Sequence, residues 1–402
     1  MEQLLHYTWK PKMFPLGEMR TTDGKSVEVI DVGLHNYDQG PDFFNAKVRI
    51  DGELWAGNVE IHDKASDWYL HRHDKDERYN NVILHIVGVC DTEVRTEAGQ
   101  YIHQMQLQVP EKIQQNYKAL LETERYPPCY KIIPSLTKLM LHSFLTKLQT
   151  ERLEQKTLSI LDRVRRSNGS WEAGYFITLA RNYGFGVNGD AFEEWASTIP
   201  LEKVAHHRDD LFQIEAIFLG QAGLIDRIKD DDYRQRLQRE YQYMQYKFGL
   251  QPINPRRWKY LRMRPANFPH ARILLLAKAY YERRTELSRI VECETVKDVH
   301  TLLNTADKNL SAASLDLIVI NTVVPILFAY GKTMGKEVLQ ERPFAFLEEL
   351  KAEDNNITRT WKDCGLEVDC AGDSQALIQL KKEYCDKKKC LHCRIGYEYL
   401  KV

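Results

Sequence analysis

The chain has 402 residues, 43% of them hydrophobic and 28% charged, with a formal net charge of −1 at pH 7. That length predicts two or three domains of ordinary globular composition. Near-neutrality excludes binding of nucleic acid by bulk charge, so such a role must rest on local patches.

The first elements follow from periodicity. Residues 2–10 read as a short helix and 25–32 as a strand. A second strand, 43–50, turns at Asp51-Gly52, a strong hairpin signal, and returns through Glu53 to His62. Residues 65–79 read as helical. The near-continuous apolar run 82–89, VILHIVGV, reads as a strand buried on both faces. Residues 101–109 supply a last strand.

The chemistry-bearing residues sit on this frame. Asp42 heads the second strand within Gly40-Pro41-Asp42-Phe43, and the third carries Val59-Glu60-Ile61-His62. Side chains alternate along a strand, so Glu60 and His62 leave one face together, and Lys64 follows two positions further on. Two carboxylates beside a basic group can hold a hard divalent cation, Mg²⁺ or Mn²⁺, and position a water. His71, His73 and Asp74 come next, in LHRHD. On a helix His71 and Asp74 would share a face and either extend the metal site or remain ordinary solvated residues. His85, inside the apolar run, reads as a core histidine satisfied by a backbone partner.

Helix, three strands, helix and strand, with Pro-Asp opening the second strand and Glu-x-basic in the third, resembles the PD-(D/E)xK nuclease fold. The resemblance covers roughly residues 1–110. It implies that Asp42 and Glu60 bind Mg²⁺ and that His62 stands at the position of the water-orienting lysine, a departure for which Lys64 is the alternative. Imidazole titrates near neutrality, so His62 reads as a general base, a metal ligand or a mark of lost activity. The whole chain also resembles an uncharacterised bacterial family, through GPDF, VEIH, SDWYLHRHD, YNNVILHIV, RPANFPHARI, SQALIQL and YCDKKKCLHCRIG. That second resemblance implies no activity.

Beyond residue 110 helical periodicity takes over. Residues 111–123 read as a connecting helix and Tyr126-Pro127-Pro128-Cys129 as an extended linker. Residues 136–166, 171–184, 189–197, 210–220, 231–248 and a group over 269–350 read as further helices. The expected fold class is α+β: a nuclease-like α/β domain over 1–110, a connection over 111–135, and an all-α part over 136–402, either one domain or two that share an interface near 250, ending in a cysteine-rich knuckle.

Two motifs stand out in the helical part. Arg256, Arg257, Trp258, Lys259, Arg262 and Arg264 lie in PRRWKYLRMR, which contains no acid. Interleaved aromatics and cations suit stacking on bases and neutralisation of phosphates, whereas the plainer reading packs Trp258 inside. Cys385, Cys390 and Cys393 form C-x4-C-x2-C beside Lys387-Lys388-Lys389. The close pair points to a thiolate-bound metal, with Cys370, Cys364, His392 or Cys129 as the fourth ligand and zinc as the plain choice. The nuclease resemblance adds an iron–sulfur cluster, which some nucleases of that superfamily hold with cysteines flanking the core.

MEQLLHYTWK lacks the pattern of a secretory signal. Residues 315–330, the longest apolar stretch, contain Asp316, Asn321, Thr322 and Pro325 and read as a core helix too short and too polar for a membrane span. The expectation is a cytoplasmic protein with no membrane partner, its eight cysteines reduced or metal-bound. The expected activity is metal-dependent hydrolysis of nucleic-acid phosphodiesters. The competing expectation is a non-catalytic module of the same fold that binds nucleic acid or a protein partner.

Overall fold

Asp51 and Gly52 both take positive φ, 48° and 85°, as a two-residue hairpin turn demands. They join β4 (Phe43–Ile50) to β5 (Glu53–Lys64) in antiparallel register, with Phe43 opposite Val59 and Ile50 opposite Glu53. The computed structural model describes residues 2–12, 19–36, 38–304 and 310–401. The chain divides into two compact units, one of residues 1–135 with 382–402 and one of residues 136–381.

The first unit is built on a seven-stranded sheet. β1 (Met19–Arg20), β2 (Ser26–Asp31), β4 and β5 run antiparallel in that spatial order, and the short β3 (Leu34–His35) also pairs with β4. β6 (Val82–Val89) and β7 (His103–Gln106) continue the sheet in parallel with β5. Alternation on β4 buries Phe43, Ala46, Val48 and Ile50. Helix α1 (Glu2–Trp9) packs on β5 through an apolar side that includes Leu4 and Leu5. Trp68, Tyr79, Val82, Val87, Val94 and Ile102 form a further core cluster. This is the mixed sheet with a packed helix that the alternation predicts.

The expected helix over 65–79 is corrected. Helix α2 covers only Asp67–Leu70, and 3-10 turns follow at His73–Lys75 and Glu77–Tyr79. Arg72 sits in the left-handed region at φ 61°, which ends the helix. The Asp76 carboxylate then accepts the Arg78 amide and opens the next turn.

Helix α3 (Glu111–Glu122) closes the N-terminal stretch of this unit, and the chain's end returns to it. The helix Arg394–Lys401 buries Ile395 and Leu400 and packs on α3, where Asn116 Nδ2 donates to the Leu400 carbonyl at 3.3 Å. Tyr7 of α1 donates to the Tyr397 carbonyl at 3.1 Å. The helical domain therefore ends near 381 rather than at 402, because an amphipathic terminal helix needs an apolar partner and α3 supplies it.

The second unit is all helical. α4 (Lys138–Arg166) is capped by Thr137, α5 (Trp171–Tyr183) by Ser170, and α6 (Gly189–Ser197) follows. One contiguous core runs from Leu153 to Ala371, so of the two alternatives the described residues favour a single helical domain across residue 250. The helical group expected over 269–350 includes residues 305–309, which lie outside the described residues. The apolar stretch is longer than its sequence implied: a helical run over Ala312–Met334 is long and apolar enough to cross a membrane. Two thirds of its most apolar window is nevertheless buried, and Ile318, Val319, Val323 and Leu327 lie in the core of this unit.

Candidate metal centre

Gly40 takes φ 110°, which suits glycine, and feeds Pro41 and Asp42 into β4. Asp42 is locked across the strands in two ways. Its amide donates to Glu60 Oε2 at 3.0 Å, and its Oδ2 accepts the Ile61 amide at 2.9 Å. The two carboxylates are thus held side by side by backbone donors. Glu60 is 5% exposed, and the Asp42 side chain 26%.

Imidazoles surround Glu60. Its Oε1 lies 3.3 Å from His73 Nε2 and 3.6 Å from His62 Nε2. His62 Nε2 is in turn 3.1 Å from His71 Nδ1, and His62 Nδ1 is 2.8 Å from His85 Nε2. One ring nitrogen each from His62, His71 and His73 lies within 4.8 Å of the others. The left-handed Arg72 between His71 and His73 makes this convergence possible, because it turns the chain back over the end of β5. Ligands about 2.1 Å from one ion stand roughly 3.0–3.5 Å apart, so these spacings fit a single divalent cation.

The electrostatics point the same way. Burial raises the Glu60 carboxyl first, and the neighbouring Asp42 raises it further. Asp42 is likewise raised by burial, against the pull of the Ile61 amide and of His73 and His71. Burial, then His85, His73 and His71, depress His62 to about 2. Two crowded acids beside the neutral His62 imidazole form a set of lone pairs that a cation would satisfy.

The structure brings Asp42, Glu60 and His62 together. Lys64 stays apart: its side chain is exposed, its amide donates to Asp67 Oδ2 at 3.0 Å, and its charge acts on Asp91. His85 is fully buried, but its partner is His62 and not a backbone group. Helix α1 adds residues that sequence reasoning did not single out. Its Glu2 is raised by burial and by Asp42, and its His6 Nε2 lies 3.5 Å from Asp42 Oδ2. Their i, i+4 spacing places both on one side of that helix, which was the available signal.

The basic run is only partly free for nucleic acid. Trp258 is 5% exposed, its Nε1 donates to the Ala222 carbonyl at 2.8 Å, and its ring meets Phe192 edge-on. The expected stacking role is therefore corrected: an indole in this core buries more apolar surface than one left in water. Arg257 pairs with Glu194 at 2.8 Å, whereas Arg256, Lys259, Arg262 and Arg264 are exposed. Trp258→Phe should lower the stability of the helical unit by about 1–2 kcal/mol through the lost hydrogen bond, with nucleic-acid affinity unchanged. Denaturant melts beside a gel-shift titration check this, and a selective fall in affinity would restore the stacking role.

No curated protein and no solved structure matches the chain. A family model does match, over residues 2–307 and 303–356, and the first of these segments contains every residue of the carboxylate–histidine centre. The chain belongs to the family described as Protein of unknown function (DUF2851).

Proposed function

We propose that this protein is a metal-dependent phosphodiesterase of nuclease type, centred on Asp42, Glu60, His62, His71 and His73. The observation that carries the reading is the convergence of two carboxylates and three imidazoles where β4, β5 and the following turns meet. The element order supports it. Helix α1, the antiparallel strands β2, β4 and β5, the short α2 and the strand β6 parallel to β5 resemble the PD-(D/E)xK arrangement, in which Asp42 and Glu60 would be the metal-binding acids.

The donor set refines the expected cofactor. Mg²⁺ favours oxygen ligands, whereas three imidazole nitrogens with one carboxylate suit Mn²⁺, Fe²⁺ or Zn²⁺. His62, His71 and His73 bring three ring nitrogens within 4.8 Å of one another, and Glu60 Oε1 lies 3.6 and 3.3 Å from His62 Nε2 and His73 Nε2. A bound cation would supply charge neutralisation at the scissile phosphate. Asp42, partly exposed and fixed by the Ile61 amide, is placed to orient a water and accept its proton. The water oxygen attacks phosphorus, and the bond to the leaving sugar oxygen breaks. Arg256, Lys259, Arg262 and Arg264 offer phosphate contacts on the helical unit.

His85 is a positioning residue in this scheme. For His62 Nε2 to face a cation, its proton must sit on Nδ1, which then donates to His85 Nε2. His85→Leu should weaken Mn²⁺ binding about 10–100-fold, read by calorimetric titration, and unchanged affinity would remove that role.

The test of the activity itself is direct. Purified protein is incubated with Mn²⁺, Zn²⁺, Mg²⁺ or, anaerobically, Fe²⁺, and with single-stranded, duplex and flap substrates of DNA and RNA. Cleavage with Mn²⁺ exceeding that with Mg²⁺ is expected. Protein that binds these substrates but stays inert with every ion would be the non-catalytic module instead.

A further inference from the structure

A second cluster lies in the same unit, and the centre described above does not use it. Cys129, Cys385, Cys390 and Cys393 all belong to the unit formed by residues 1–135 and 382–402. Cys129 and Cys393 are each 7% exposed, and Cys385 and Cys390 are partly buried. The Cys129 thiol feels the charges of Cys393, Cys385 and Cys390, and Cys385 feels Cys393 and Cys390, so the four sulfurs sit within electrostatic reach.

Local backbone structure shapes the set. The helical segment Leu380–Cys385 delivers the first of the three C-terminal thiols, and the Lys389 amide bonds back to the Tyr384 carbonyl. A 3-10 turn over Cys390–His392 closes when the Cys393 amide reaches the Cys390 carbonyl at 3.2 Å. Gly396 locks this turn against the last helix, since a Cβ there would collide with the Cys390 carbonyl oxygen. On the other side, the Ile132 amide bonds the Cys129 carbonyl at 3.1 Å and fixes a turn around Cys129.

The remaining candidates for a fourth ligand fall away. Cys364 and Cys370 belong to the helical unit, and Cys370 serves there as an N-cap. The charge of His392 acts on His6 and His35, which places it towards α1.

We infer that Cys129, Cys385, Cys390 and Cys393 form a four-thiolate centre for an iron–sulfur cluster that staples the two ends of this unit together: among the described residues no three of the sulfurs lie within 4.8 Å of one another, whereas thiolates on a single zinc ion stand about 3.8 Å apart. Two buried and two partly buried thiols from the two ends of one unit are a donor set that a cationic centre suits, because thiolates neutralise it and it neutralises them. The staple has a topological purpose. The chain leaves this unit after residue 135 and returns at 382, so a clip between Cys129 and the 385–393 segment closes a very long loop.

The experiment uses the full chain carrying His62→Ala and His71→Ala, so that metal at the carboxylate–histidine centre is not counted. Purified anaerobically without chelator, it should hold iron with acid-labile sulfide and show a brown colour. Zinc without acid-labile sulfide would overturn the cluster. Cys129→Ser and Cys390→Ser should each lose the iron and expose residues 382–402 to limited proteolysis, while Cys364→Ser should keep it. Thiol titration of the unmutated, folded protein guards against a variant that fails to fold: four of the eight cysteines should stay unreactive until the metal is stripped. No bound zinc or iron, with the four thiols reacting at once, would overturn the centre. Full metal occupancy in Cys129→Ser would remove Cys129 from it.

Discussion

Glu60→Ala is expected to lower Mn²⁺-dependent phosphodiester cleavage by at least about 10³-fold, the largest single effect in this molecule. Glu60 does two things that alanine cannot. Its Oε1 stands 3.3 Å from His73 Nε2 and 3.6 Å from His62 Nε2, where a cation would need an anionic ligand. Its Oε2 accepts the Asp42 amide at 3.0 Å, so its loss also frees the strand end that carries the second carboxylate. Glu60→Gln separates these roles, because the amide oxygen still accepts from Asp42 but brings no charge. Glu60→Gln should melt close to wild type and remain inactive. Single-turnover assays beside thermal melts decide the point, and a Glu60→Ala enzyme within tenfold of wild type would sink the assignment.

The second large effect concerns stability of the helical unit. Glu193 on α6 accepts Arg163 Nε and Nη2 at 3.0 and 2.9 Å and Arg181 Nη1 at 2.6 Å, with Arg166 Nη2 at 3.4 Å. The Arg163 side chain is only 10% exposed and Glu193 17%, so this carboxylate ties α4, α5 and α6 together largely out of water. Glu193→Ala leaves Arg163 buried without that partner. The expected loss is about 2–4 kcal/mol, below the full cost of breaking a buried pair because Arg166 and Arg181 remain half in solvent.

The same group sets an acid response. Burial pushes Glu193 up, but Arg163 and Arg181 outweigh it and bring it down to about 2. A carboxylate depressed in the folded state stabilises fully above its unfolded value, about 4.5, and loses that contribution as pH falls towards 2. Glu193→Gln should therefore flatten the fall in stability across that window. Denaturant melts at pH 7, 4 and 2.5 measure it, and parallel acid profiles for the two proteins would contradict it.

Much of the first unit was legible in the sequence. The Asp51-Gly52 turn, the alternation of β4, the apolar run of β6 and the helix starts at Thr137 and Ser170 are local signals, each written within a few residues. The pairing of Asp42 with Glu60 and His62 followed from the hairpin register, since period-two geometry leaves little freedom once the turn is placed. Tertiary structure decided the rest. It ended α2 at Leu70 and used the left-handed Arg72 to turn His71 and His73 onto the carboxylates, where helical spacing had paired His71 with Asp74. It gave His62 the buried His85 as a partner, drew Trp258 into the core and returned the chain's last helix, Arg394–Lys401, to the first unit. Those outcomes depend on contacts between residues tens to hundreds of positions apart. Periodicity records which face of a segment is apolar, but the partner that covers the face is set by the packing of the whole unit.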